Sequence, residues 1–96
     1  MYFDKEGNTI SMEDWAKLFK DPKYKKIAVN SLDNGKRVST VWLGLDHSFG
    51  PGRKLIFETM IFPECEYCER YETIEEARKG HLRAVEEAMK QEGVSR

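Results

Sequence analysis

A chain of 96 residues is long enough for one domain with a single modest core, and it is read as one domain over 1–96. Hydrophobic residues make up 40% and charged residues 34%, and 16 basic against 17 acidic side chains leave a net charge of −1; this composition argues against disorder and supplies no long-range field for nucleic acid or anionic lipid. No apolar run approaches the roughly 20 residues of a membrane span, and the acidic, turn-rich opening Met1–Asn8 is unlike a secretory signal, so the expectation is a soluble cytoplasmic chain with Cys65 and Cys68 reduced.

The first ten residues predict a small hairpin, with Tyr2 and Phe3 leading into Lys5-Glu6-Gly7-Asn8 and Ile10 returning to the body. Ser11 then starts a short helix. Its hydroxyl is placed to accept an orphan backbone N–H, and Met12, Trp15, Leu18 and Phe19 recur with helical spacing. Asp21-Pro22 ends it, because proline disfavours helical geometry in the residue before it. The basic residues Lys20, Lys23, Lys25 and Lys26 that follow are interrupted by Asp21 and read as a solvated surface.

Lys26–Asn30 predicts a strand, and Leu32-Asp33-Asn34-Gly35-Lys36 a turn. Residues 38–45 alternate as a second strand. Ser39, Val41, Leu43 and Leu45 form its more apolar set and are expected to face inward, with Val38, Thr40, Trp42 and Gly44 opposite. Trp42 then flanks a second apolar surface or lies under the first helix. Asp46–Arg53 is a loop with two glycines around Pro51. Lys54–Phe62 is the longest apolar segment, and its aromatic and β-branched content fits a central strand ended by Pro63.

Glu66–Glu72 completes the strands. Thr73-Ile74-Glu75-Glu76 is a capping box that opens a long helix, with Ile74, Ala77, His81, Ala84, Val85 and Ala88 as its buried stripe, widened by Leu82 and Met89. Gly93 is its expected stop. Together these elements predict an α+β fold: an antiparallel sheet of about three to five strands packed against a long C-terminal helix, with a short N-terminal helix.

Several segments carry a resemblance. Thr40-Val41-Trp42-Leu43-Gly44-Leu45-Asp46-His47-Ser48-Phe49-Gly50, Phe57-Glu58-Thr59-Met60, Tyr71-Glu72-Thr73 with Glu76-Ala77, and Gly80-His81, together with the opening Met1–Trp15, resemble a pattern found in small proteins of tailed bacteriophages and prophages. The resemblance covers most of the chain. It implies a phage or prophage source and a bacterial cytoplasm, and it implies no activity.

Three groups of residues bear on chemistry. Cys65 and Cys68 have the spacing of a two-thiolate clamp, and only His47 and His81 remain to complete four zinc ligands. That set lacks the spacing of a finger, so no metal and no cofactor is expected, and the bland reading is two free thiols. Asp46-His47-Ser48 contains triad residue types, but neighbours in sequence diverge instead of forming a relay. Glu58 interrupts an apolar strand and either faces water or needs a partner, for which His47, His81 or an arginine would serve. His81 falls on the apolar stripe of its helix, where a histidine is usually a hydrogen-bonded core residue. Gly80 beside it marks a close approach of helix to sheet.

The expected function is that of a small accessory protein that binds another macromolecule, a host or phage protein, without catalysis. Asp46, His47 and Arg53 are the candidate binding residues, because longer loops held by rigid strands concentrate binding groups. The bland alternative is a loop held by Phe49 packing and Asp46 capping. The alternative function is a small metal-binding or hydrolytic domain built on Asp46, His47, Glu58 and His81. Nucleic-acid binding through Trp42, Phe57 and Tyr67 as stacking faces is disfavoured by the near-neutral charge.

Overall fold

The computed structural model describes residues 1–45, 54–63 and 67–94. A two-stranded hairpin, β1 (Tyr2–Phe3) and β2 (Thr9–Ile10), is followed by α1 (Met12–Phe19), α2 (Pro22–Lys25), β3 (Lys26–Ser31), β4 (Arg37–Trp42), β5 (Phe57–Phe62), β6 (Cys68–Tyr71) and α3 (Ile74–Val94). Strands β3 to β6 form one antiparallel sheet in the order β3-β4-β5-β6. The fold is α+β, a four-stranded antiparallel sheet against a C-terminal helix with a short N-terminal helix, as the periodicities predicted.

Local chemistry explains the boundaries. The Ser11 hydroxyl accepts from the Asp14 N–H at 3.1 Å and opens α1. Asp21-Pro22 ends α1 and also starts something: the Asp21 carboxylate accepts from the Lys23 N–H at 3.0 Å, and Pro22 occupies the first helical position of α2. That single turn was not evident from the sequence, where proline reads as a stop. The capping box at α3 is formed in both directions, with Thr73 Oγ1 accepting from Glu76 N and Glu76 Oε1 accepting from Thr73 N.

The core lies on one face of the sheet. Register aligns Val38 with Ile61, Thr40 with Thr59 and Trp42 with Phe57, and all six are buried. This reverses the face expected for β4, since Ser39 and Val41 lie on the opposite side and are only half-buried. Apolar count misled here. Trp42 outweighs two smaller residues in volume, and Thr40 is as buried as any of them because its hydroxyl is hydrogen-bonded. The hairpin and α1 gather over Trp42, whose indole N–H donates to the Phe3 carbonyl at 3.1 Å while Tyr24 meets its ring edge-on at 4.8 Å. Trp42 therefore lies in the core beside the first helix. Gly44, at φ +70°, lets the rings of Trp42 and Trp15 approach its backbone; a Cβ there would collide with both.

Helix α3 covers the rest of that face with small residues. Ala77, Ala84 and Ala88 are fully buried, Val85 and Ile74 are half-buried against the two core clusters, and the helix sits close to the sheet. Leu82 and Met89 do not widen this stripe: they are 65% and 55% exposed. A stripe of alanines needs no flanking bulk to fill the interface, so the larger side chains fall outside it. Gly80 is the point of closest approach, where a Cβ would overlap the Tyr71 hydroxyl and ring. Gly80→Ala is accordingly expected to destabilise by about 1–3 kcal/mol, despite alanine's better helix propensity, because the Tyr71 ring has to move. A raised urea midpoint for this variant would refute the packing explanation.

Candidate functional site

The sheet has a second face. Alternation along the strands places Val29 and Ser31 of β3, Arg37, Ser39 and Val41 of β4, Glu58, Met60 and Phe62 of β5, and Cys68 and Arg70 of β6 on it. Neither α1 nor α3 lies on this side, since both pack against the residues of the opposite face. The middle of the face is apolar, with Val29, Val41, Met60 and Phe62 distributed around Ser39. Arg37 lies over the Phe62 ring at 4.8 Å, which holds the guanidinium at the face and covers part of the aromatic surface.

A groove of about 280 Å³ opens where this face meets α2. Pro22, Val29 and Val41 give it apolar walls, the stems of Lys23, Lys25 and Lys26 complete its lining, and the Lys25 ammonium lies over the Phe19 ring at 4.1 Å, which leaves Lys23 and Lys26 to carry charge at its rim. The α2 turn creates this arrangement. Ending α1 before Asp21 and restarting at Pro22 turns the chain into β3, so Lys23, Lys25 and Lys26 come to lie beside two valines of different strands. The sequence placed these lysines on a solvated surface. Their proximity to Val41 depends on strand pairing and leaves no local signal.

Glu58 lies on the same outer face, with only 14% of its side chain exposed. Arg70 Nε donates to its carboxylate at 3.0 Å, and the Cys68 thiol donates at 3.3 Å. An arginine is thus the partner that this carboxylate required. Burial, then the hydrogen bond to Glu58 and its charge, push the Cys68 thiol up, so the thiolate is disfavoured.

His81 belongs to the other face. Its Nδ1 lies 2.7 Å from Thr40 Oγ1, Thr40 Oγ1 lies 2.5 Å from Thr59 Oγ1, and its Nε2 lies 2.8 Å from Asn30 Oδ1. Burial pushes its pKa down from the ordinary 6.5. The Tyr71 hydroxyl adjoins the chain through Thr59, and burial is the main cause that raises its pKa. Burial also pushes the half-buried Tyr67 up, to about 12, with the Glu69 charge adding to it. Among the described residues no buried side-chain nitrogen or oxygen lacks a partner. This is a satisfied structural network, as expected of a histidine on an apolar stripe.

The expected sites fare differently. Glu58 and His81 stand on opposite faces of the sheet, so they do not converge on one ligand as the metal-binding or hydrolytic alternative required. The candidate binding residues Asp46, His47 and Arg53, and with them Cys65, lie outside the described residues. Among the described residues, no group of three or more histidine, cysteine or acidic side chains is placed to hold a metal ion. Trp42 and Phe57 are fully buried and Tyr67 packs half-buried against the core, so these three rings offer no stacking platform. No described helix is long and apolar enough to cross a membrane.

The chain matches no family model, no curated protein and no solved structure.

Proposed function

We propose that this chain is a non-catalytic binding domain that docks an acidic protein surface on the outer face of its sheet, in the phage or prophage setting that its sequence pattern implies. One observation carries the reading: the outer face combines an apolar centre with a groove lined by Lys23, Lys25 and Lys26. Apolar area contributes affinity, and the lysines select a partner of opposite charge and steer its approach. The inner face is consumed by the core, and its polar groups are already satisfied by one another.

The test is a double charge reversal, Lys23→Glu with Lys26→Glu, beside a separate Val41→Asp variant. Each is assayed by thermal melt and by capture of partners from bacterial host lysate, with the captured protein identified by mass spectrometry. Capture is expected to fall by at least about tenfold in both variants, with Tm nearly unchanged for the lysine pair because those side chains make surface contacts. Capture by both variants at the level of the unsubstituted chain would remove the outer face from consideration. His47→Ala with Arg53→Ala, assayed in parallel, measures what the 46–53 segment adds.

A further inference from the structure

We infer that edge strand β3 takes up an extended acidic segment of the partner protein as a fifth strand of the sheet. This rests on the reading of the chain as a protein-binding domain and specifies how the partner is held.

The two edges of the sheet differ. β6 is four residues long and carries Glu69 and Arg70, which form ion pairs with Arg83 at 3.8 Å and Glu58 at 3.0 Å. Charged side chains along a short strand are the usual means of blunting an edge. β3 is six residues long, and its only charged residue, Lys26, stands at its start. A register irregularity between Lys26 and Ala28 interrupts its start, so the regular edge runs over Ala28, Val29, Asn30 and Ser31, none of which repels an added strand.

An added strand needs partners for side chains that alternate between two sides. On the outer side it meets Val29, which is 43% exposed, and the groove with Val41 and the three lysines. On the inner side it meets the flank of α3. His81 fixes the orientation of that flank, because its Nε2 reaches Asn30 on β3, whereas Gly80 packs on Tyr71 of β6. At 100° per residue, Leu82 and Met89 lie beyond His81 on the side away from Gly80. These two exposed apolar side chains thus lie on the flank of α3 that is turned toward β3 and solvent, within the described residues of the helix.

The charge selects the sequence of the segment. Lys23 and Lys26 favour acidic residues at the outward positions near the start of β3, and Leu82 and Met89 favour apolar residues at the inward ones. The expected ligand is an extended stretch in which acidic and β-branched apolar residues alternate. A second copy of this chain is a poorer occupant, since two copies paired through β3 would bring two sets of these lysines together across the two-fold axis.

The probe is a synthetic capped peptide alternating glutamate with valine or threonine. Its controls are the same peptide with lysine for glutamate, and an acidic version N-methylated on alternate residues along one edge, prepared for each edge. Amide hydrogen exchange and nitrogen–proton NMR spectra are recorded on the intact chain. The acidic peptide is expected to bind saturably and to slow exchange within residues 27–31. The lysine peptide should not bind, and at least one N-methylated peptide should bind about tenfold or more weakly, because it cannot complete the strand hydrogen bonds. Val29→Glu should abolish binding and leave the melt unchanged. Acidic-peptide binding that both N-methylated forms retain would overturn strand addition while leaving the outer face as a charged docking surface. Sedimentation showing a dimer that Val29→Glu dissociates would overturn it in favour of a second copy. Absence of acidic-peptide binding at millimolar concentration would also overturn it, and the groove-dependent capture from lysate then decides separately whether the protein-binding reading stands.

Discussion

Replacing Trp42 with alanine is expected to lower the unfolding free energy by about 3–5 kcal/mol, as truncation of a large aromatic in a packed core does. The side chain is fully buried, and it sits where the hairpin, α1, α2 and β4 meet. Its N–H donates to the Phe3 carbonyl and ties the N-terminal hairpin to β4, while Phe19 of α1 and Tyr24 of α2 pack on its ring at centroid distances of 6.4 and 4.8 Å. Truncation would leave a cavity between four elements and strip one carbonyl of its donor. Gly44 would keep only the Trp15 ring against its backbone. The measurement is chemical denaturation followed by far-ultraviolet circular dichroism, with Phe57→Ala as a reference from the same cluster. A Trp42→Ala midpoint close to that of the unsubstituted chain would mean that the hairpin and α1 do not depend on this residue. Trp42→Phe should recover part of the loss, because it restores ring volume without the donor.

Much of this architecture is legible in the sequence, because its elements announce themselves locally. Ser11 and Thr73 are capping residues, and each makes the predicted bond. Alternation in 38–45 revealed a strand, and helical spacing after Thr73 revealed α3. Local signals fail where partners decide. The inward face of β4 was misassigned because Thr40 counts as polar until Thr59 and His81 are known to satisfy its hydroxyl. Leu82 and Met89 were placed in the buried stripe because spacing does not show where a sheet ends. The lysines around α2 read as solvated charge and are exposed or half-exposed, but that Val41 and Val29 lie together beside them follows only from the pairing of β3 with β4. The proposed docking surface is therefore a product of topology, and the 46–53 segment that loop length singles out lies outside the described residues.

Replacing His81 with alanine is expected to cost about 2–4 kcal/mol near neutral pH and to flatten the fall of stability in mild acid. The imidazole bridges the Asn30 side chain on β3 and the Thr40–Thr59 pair at the centre of the sheet. Its bonding pattern assigns a neutral ring protonated on Nε2. That N–H donates to Asn30 Oδ1, Nδ1 accepts from the Thr40 hydroxyl, and Thr40 in turn accepts from Thr59. Truncation leaves Thr40 without its acceptor in a buried site. The pH dependence has a definite sign. Burial lowers the folded-state pKa below the ordinary 6.5, so above that value the ring is neutral in both states and contributes no slope. As pH falls below 6.5 the unfolded chain takes up the proton first, and stability declines by at most about 1.4 kcal/mol per pH unit until the folded-state value is passed. The chain has 2 histidines, so the contribution of His47 must be separated, which His81→Ala and His47→Ala do when compared across pH 7.5 to 5. The His81 variant should lose the slope that the buried ring contributes, and the His47 variant measures what His47 adds. Equal slopes in the His81 variant and the unsubstituted chain would show that His81 titrates normally and that the ring is not held neutral by the core.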